Sequence, residues 1–422
     1  MEYTLTIKKE KECDVLVVGS GPAGVSAAIM AARCGARVLL VEALGRVGGI
    51  STSGMMSHFT GSVGNRLYGE ILARAAERNT FKRGEITTKI DPEYLTLTYL
   101  EMLEEAGAEL LLYTTFCDAV MEGNKIKGAI FHNKDGFLLV RAQVVIDATG
   151  DGDVAYKCGI DFILGREEDN KMQPATLMFK VGGVDDEHAV FPPSFETLVE
   201  TERGELQSLA REILPHPAGH VLLYRSTLPG VTTVNMTNVT DIDGTSAEDL
   251  TRAERETRAQ IPHIISFLRE YVPGYENCYL LGAASLIGVR ESRHFIGEKT
   301  LTREDIEEAI QHEDYIVYDA HFNFDVHNIT GAGLDKTGCQ HKFTQKKGYT
   351  IPYGCFIPKE IDGLLLAGRC ISGTHMAHSS YRAMPICVGM GEGVGAAAAL
   401  AVKKKITPRE VLPSEIQALL PR

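Results

Sequence analysis

The chain has 422 residues, 44% hydrophobic and 23% charged, with a formal net charge of −13. That length allows two domains, or one large domain with an insertion, and the composition is that of a globular protein. The acidic balance repels phosphate backbones and so excludes nucleic acid and anionic membranes as expected partners. No run reaches the roughly 20 consecutive apolar residues of a spanning helix. The nine cysteines (13, 34, 117, 158, 278, 339, 355, 370 and 387) are odd in number and form no C-x-x-C pair. That fits reduced thiols and predicts neither a disulfide framework nor a metal site. The first apolar run lacks a cleavage-site pattern, so a cytoplasmic location is expected.

That run, VLVV at residues 15–18, reads as a strand buried on both faces. Gly19, Gly21 and Gly24 follow as G-x-G-x-x-G. The first allows a tight turn, the second lets backbone approach a pyrophosphate, and the third brings helix and strand close. Pro22 suits a first helical turn, where a missing N–H costs nothing. The helix stops at Gly35, and a second strand, ARVLLVE, ends on Glu42, 18 residues past Gly24. A carboxylate there can accept from ribose hydroxyls and would repel a 2′-phosphate. Together these pieces predict a dinucleotide-binding βαβ unit rather than an ordinary glycine turn.

Three later stretches bear on which dinucleotide binds. Arg46-Val47-Gly48-Gly49 follows Glu42 closely, and adjacent glycines would leave backbone N–H groups beside the pyrophosphate. The strand VVID ends in Ala148-Thr149-Gly150. Residues 150–155, GDGDVA, also fit G-x-G-x-x-A, but Asp151 and Asp153 would repel a phosphate there, which excludes a second dinucleotide site. GLLLAGRC at 363–370 reads as another strand, ending in Gly368-Arg369, and from about Pro385 the tail is a Gly/Ala-rich helix. Its partly positive N-terminus would stabilise an anion formed on a reduced flavin; packing alone also explains its small residues.

This order of pieces, with MQPATLMFKVGGVD, VNMTNVTDIDGT, GVRESRHFIGE, FDVHN and IPYGCFIPKEIDGLLLAGRCIS, resembles the FAD-dependent oxidoreductase family related to glutathione reductase and the succinate dehydrogenase flavoprotein. The resemblance covers nearly the full chain. It implies an α/β fold: a Rossmann-like FAD-binding domain of glutathione-reductase type with an inserted α+β substrate domain. The FAD domain would comprise residues 1–165 and 345–422, and the substrate domain residues 166–344. By the same resemblance Gly19, Gly21, Ala23 and Gly24 hold the pyrophosphate, and Glu42 the adenosine ribose. Arg46, Gly48 and Gly49 line the diphosphate and ribityl path, and the backbone of Cys117 reads the adenine edge. Ala148, Thr149 and Gly150 return the chain past the FAD, while Gly368, Arg369, Ala383 and Met384 approach the ribityl and pyrimidine end. Some relatives bind flavin covalently through a His after the second strand. Gly48 stands nearest that position here, so non-covalent FAD is expected; His58 is displaced by ten residues.

Within the inserted region ATLMFKVGG and VTTVNMTNV read as strands and 246–271 as a helix, with Ser246 and Asp249 as a capping pair. Residues 185–220 read as a surface excursion, and Lys342, Lys346 and Lys347 as a solvated loop. A flavin moves two electrons at N5, and the protein supplies orientation and a proton carrier. Candidates are His375 and His378 with Arg382, in a predicted loop before the tail helix, and Asp325-x-His327, whose side chains would face opposite ways on a strand. Arg290, Arg293 and His294 could clamp a carboxylate or hydroxyls, and His58 is a further candidate. Each also has a plain structural reading, including an ion pair of Arg290 with Glu291. The expectation is a dehydrogenase or reductase moving a hydride between flavin N5 and a small polar metabolite, a sugar or a hydroxy or keto acid. The electron acceptor or donor and the oligomeric state stay open. The alternatives are a flavin-dependent monooxygenase, an RNA-modifying flavoprotein, or a non-catalytic FAD-binding protein.

Overall fold

The computed structural model describes residues 6–420 apart from 8, 57, 79–86, 194–196, 336–342, 344 and 346. Cys339, Lys342 and Lys346 lie outside the described residues. Strand β1 (Lys9–Val18) leads into helix α1 (Pro22–Arg33) and strand β2 (Val38–Val41), with Val15 opposite Val38 in parallel register. Helices α2 (Arg66–Glu77) and α3 (Pro92–Ala106) follow, then strands β3 (Glu109–Leu111), β4 (Thr115–Glu122), β5 (Lys125–Asn133) and β6 (Gly136–Asp147). They form one sheet in the order β3-β2-β1-β6-β5-β4.

Strand β6 is the hinge of this layout. One edge pairs with β1 in parallel along its length, from Leu138 to Asp147. Its other edge pairs antiparallel with β5 over Gly136 to Arg141, then parallel with the strand Leu364–Leu366 over Val145 to Asp147. The C-terminal part of the chain thus returns to the middle of the sheet, beside the βαβ unit. The protein is a mixed α/β fold built on parallel strands, as buried apolar runs such as VLVV and VLLV require.

The helix Met384–Lys404 lies on α1. Cβ atoms added at Gly391 and Gly395 would fall 2.1 Å from the Ala23 carbonyl oxygen and 2.5 Å from that of Ala27. The glycines, four apart, form one stripe that lets the two backbones touch. Gly389 and Gly393 are packed in the same way against Asn65 and Ile316. This helix is long and apolar enough to cross a membrane by length and composition, contrary to the sequence expectation, but 89% of its apolar window is buried inside the protein. It is a core helix.

A second sheet is antiparallel: Leu223–Arg225, Thr232–Val234, Phe179–Gly182 and Tyr279–Ala283, in that order. The helix Ala247–Tyr271 packs on it through Ile261, Ile264, Phe267 and Leu268. Ser246 caps that helix by accepting from the Asp249 amide, as the sequence pattern predicts. These residues have a hydrophobic cluster of their own, running from Leu177 to Ala284. The larger cluster takes residues from Cys13 to Ile160 and from Phe295 to Leu420. Residues 185–220 are not a mere surface excursion: the amphipathic helix Leu206–Ile213 buries Leu206 and Ala210 in the second cluster.

Candidate active site

Gly19 has φ +92°, and a Cβ there would come within 2.6 Å of the Ala148 carbonyl oxygen, so the turn after β1 admits glycine alone. Gly24 is closed by the Gly19 carbonyl, 1.9 Å from its would-be Cβ. Gly21 differs: a Cβ there meets nothing within 4 Å. It is the N-cap of α1 and offers no capping side chain, which leaves the N-terminal N–H groups and their partial positive charge for an anion. Ala23 lies in the first turn, and a Cβ added at Gly368, whose φ is +93°, would stand 3.5 Å from its methyl group.

Glu42 is buried. Its Oε2 accepts from the Ser20 amide at 2.8 Å and the Ser20 hydroxyl at 2.7 Å, and its Oε1 accepts from the Leu44 amide at 2.8 Å. Oε2 is filled by the two Ser20 donors, while Oε1 keeps a lone pair for a ribose hydroxyl. The Glu42 carbonyl accepts from the Thr114 amide at 3.0 Å, which brings Cys117 on β4 to the same end of the sheet. Gly48 and Gly49 have φ +103° and +52°. The Gly48 amide is not bare, as the sequence suggests, but donates to the Ser20 carbonyl at 2.7 Å. Arg46 points away to α3, with Nε donating to Thr96 Oγ1 at 2.8 Å and Nη2 in an ion pair with Glu93 at 2.8 Å.

Ala148 and Gly150 carry the chain over the glycine turn, while Thr149 binds back to Asp147 through its amide and hydroxyl. Asp147 is fully buried, and burial pushes its carboxyl up to about 6 despite donors from Ala155 and Thr149. Arg369 donates from Nη2 to Asp151 Oδ1 at 2.9 Å. Its Nη1 is buried and has no hydrogen-bond partner among the described residues. Asp151 and Asp153 are occupied by arginines: Arg293 Nη1 donates to the Asp151 carbonyl and to Asp153, each at 3.0 Å. Arg293 also lies over the Tyr156 ring, 4.3 Å from its centroid. It is a structural cation, not a substrate clamp.

The proton-carrier candidates fall into two groups. His375 and His378 sit not in a loop but on the short helix His375–Tyr381, capped by Thr374. Both face Glu291, which is fully buried. Glu291 Oε1 accepts from His375 Nδ1 at 2.6 Å and His294 Nε2 at 3.0 Å, and lies 4.0 Å from His378 Nδ1. Burial works against its charge, but the bonds from His294 and His375 outweigh it and hold the carboxyl well below its usual range. Burial opposes charging of His375 too, yet the Glu291 bond and charge raise it. Burial and His294 push His378 well below the ordinary histidine value. Sequence reasoning missed Glu291, reading it as a partner of Arg290.

Arg290 instead turns to the second group. Its Nη1 donates to the Pro174 carbonyl at 2.6 Å, and burial together with the nearby Arg382 charge lowers it to about 10. Arg382 Nη2 donates to Asp325 Oδ2 at 2.9 Å and to the Asp325 carbonyl at 2.7 Å, while its Nε is buried without a partner among the described residues. His327 Nε2 lies 3.4 Å from Asp325 Oδ2. The two side chains meet because residues 323–326 are irregular rather than strand, so the expected alternation does not apply. Burial, then Arg290, lower His327 to about 4. Tyr224 completes this group and packs edge-on against His58, ring centroids 4.9 Å apart. Cys370 and Cys387 are buried with raised thiols, Cys387 to about 12, and are inert.

A parallel βαβ unit with an open glycine at an uncapped helix N-terminus, and an acid at the end of the next strand, defines a dinucleotide-binding α/β fold. The profile of the family described as FAD dependent oxidoreductase matches residues 14–420, and the chain belongs to that family. Its cofactor is FAD, and it is an oxidoreductase. The residues present fit that group: the space at Gly21, the free α1 N-terminus and the unpartnered Arg369 Nη1 all suit a diphosphate.

Among curated proteins the chain is similar to the thiamine thiazole synthase of Aeropyrum pernix, 32% identical over 34% of this chain and 57% of that protein. It is also similar to the digeranylgeranylglycerophospholipid reductase of Methanosarcina acetivorans, 29% identical over 35% of this chain and 40% of that protein. The matches thus span about half the length of these relatives. A geranylgeranyl bacteriochlorophyll reductase-like protein from Thermoplasma acidophilum shares the fold, with a TM-score of 0.52 and 16% identity over 97% of this chain and 82% of that one.

Proposed function

We propose that the protein is a dehydrogenase or reductase of a small metabolite bearing a carboxylate, of the hydroxy- or keto-acid class. One observation carries this reading. Arg290 and Arg382 act on each other in a buried setting with Asp325 as the carboxylate that acts on Arg290. Among the described residues, two guanidinium charges against one carboxylate leave an uncompensated positive charge, since burial keeps His327 neutral near pH 7. A buried unpaired charge is costly, and a substrate anion compensates it. A neutral sugar would not.

In this reading Arg290 and the free Nε of Arg382 hold the carboxylate and fix the reacting carbon. His327, oriented by Asp325, takes the hydroxyl proton on oxidation or returns it on reduction. Bound FAD supplies the two-electron chemistry. The residues around the second sheet, within the expected 166–344 segment, form the substrate domain of a glutathione-reductase-type arrangement, with FAD held non-covalently. The relatives named for geranylgeranyl substrates do not favour a long apolar substrate here, because the candidate site is lined by buried arginines.

The test is anaerobic mixing of the purified flavoprotein with a panel of 2-hydroxy acids, their amides, and neutral polyols, followed through the visible flavin absorbance. The acids bleach the flavin and the amides do not. Bleaching by neutral polyols alone contradicts the reading. Accumulation of an oxygenated flavin species on mixing reduced enzyme with oxygen would favour a monooxygenase instead.

A further inference from the structure

Glu291, His294 and His378 lie apart from the Arg290 group and offer ligand atoms all within 4.8 Å of one another. All three side chains are 2% exposed or less. Two ligand atoms bound about 2.0–2.1 Å from a tetrahedral ion lie about 3.4 Å apart. Glu291 Oε1 is 3.0 Å from His294 Nε2 and 4.0 Å from His378 Nδ1, which brackets that spacing. His378 Nδ1 is buried and has no hydrogen-bond partner among the described residues. It is an unspent lone pair or proton aimed at the cluster.

The surrounding hydrogen bonds point the same way. Tyr381 Oη donates to the Ile371 carbonyl at 3.2 Å and stands 3.5 Å from His294 Nδ1. A neutral His294 that donates from Nε2 to Glu291 would turn a bare Nδ1 lone pair toward a hydroxyl whose proton is already used. Nδ1 must carry the proton to donate to Tyr381 Oη, which an ion on Nε2 allows, as does an imidazolium paired with Glu291; Tyr381 then donates its own proton to Ile371. Metal-bound histidines are held by such outer partners. His375 Nδ1, 2.6 Å from the same Glu291 oxygen, and the Gln173 amide, 3.2 Å from Oε2, orient the carboxylate.

We propose that Glu291 Oε1, His294 Nε2 and His378 Nδ1 bind a divalent transition ion of the zinc class. Two imidazoles and a carboxylate are the ligand types zinc takes, with a fourth position left for a water. The ion would tie the strand Arg293–Phe295 to the helix His375–Tyr381, whose end carries Arg382, Ala383 and Met384 toward the cofactor. It would bind whether or not the substrate is an anion.

Full-length holoenzyme, expressed with added zinc and dialysed against metal-free buffer, should contain about one zinc per chain by elemental analysis. His378→Ala and Glu291→Gln should each lower that at least tenfold while FAD stays bound. If a variant does not fold, the wild-type protein decides through cobalt: the exchanged protein should show tetrahedral Co²⁺ bands at wavelengths beyond the flavin absorbance. Wild-type protein that holds no zinc and shows no cobalt bands, or a folded His378→Ala protein that keeps its zinc, overturns the site.

Discussion

An alanine at Gly21 would meet no atom within 4 Å, and the backbone there, φ −63° and ψ −179°, suits any residue. Gly21→Ala should therefore fold with a stability within about 1 kcal/mol of the parent in chemical denaturation, yet lose FAD affinity at least tenfold, because its methyl group takes the ligand's space. Equal FAD content in the two proteins would remove the diphosphate from this turn. His327 makes a second prediction. Its folded value of about 4 lies below the ordinary 6.5, so it stays neutral down to mildly acidic pH and accepts a proton until the pH falls through about 4. The acid limb of the kcat/KM profile should lie near that value, and a limb near 6.5 would mean that an unperturbed histidine moves the proton.

At the scale of elements, the contact between α1 and the helix Met384–Lys404 is as tight as backbone allows. Gly391→Ala puts a methyl 2.1 Å from the Ala23 carbonyl and should cost about 1–3 kcal/mol or more, read as a lower midpoint in denaturant. Gly69→Ala, on α2, meets no atom within 4 Å and should be neutral or stabilising in the same assay. The βαβ unit, the strand before Gly368 and the helix capped by Ser246 were legible because periodicity, glycine spacing and capping are local signals. The candidate site was less so. Arg290 and Glu291 are chain neighbours whose side chains join different clusters, Arg290 with Asp325 and Arg382, Glu291 with three histidines. Asp325 and His327 meet only because their segment is irregular. Which charge answers which was fixed largely by contacts between residues far apart in the chain, as Arg382 with Asp325 and His375 with Glu291, and no local pattern carries that.

For the whole molecule, FAD would join the returning C-terminal segment to the βαβ unit, since Gly368 and Arg369 lie over Ala23 and Gly150. A ligand that binds the folded state alone adds stability by mass action, about 2.7 kcal/mol at a hundredfold excess over Kd. Removing the flavin should lower the Tm by several degrees, and adding FAD back should restore it; a Tm indifferent to FAD would contradict that linkage. The substrate claim has its most direct test in a matched pair. The anaerobic rate of flavin reduction by a 2-hydroxy acid and by its amide, measured on the parent and on Arg290→Met, isolates the charge. The parent should prefer the acid by about 100-fold, worth about 2.7 kcal/mol, and the variant should lose most of that preference while its flavin spectrum stays unchanged. An acid-to-amide ratio near one in the parent, or one that survives in the variant, would contradict the account.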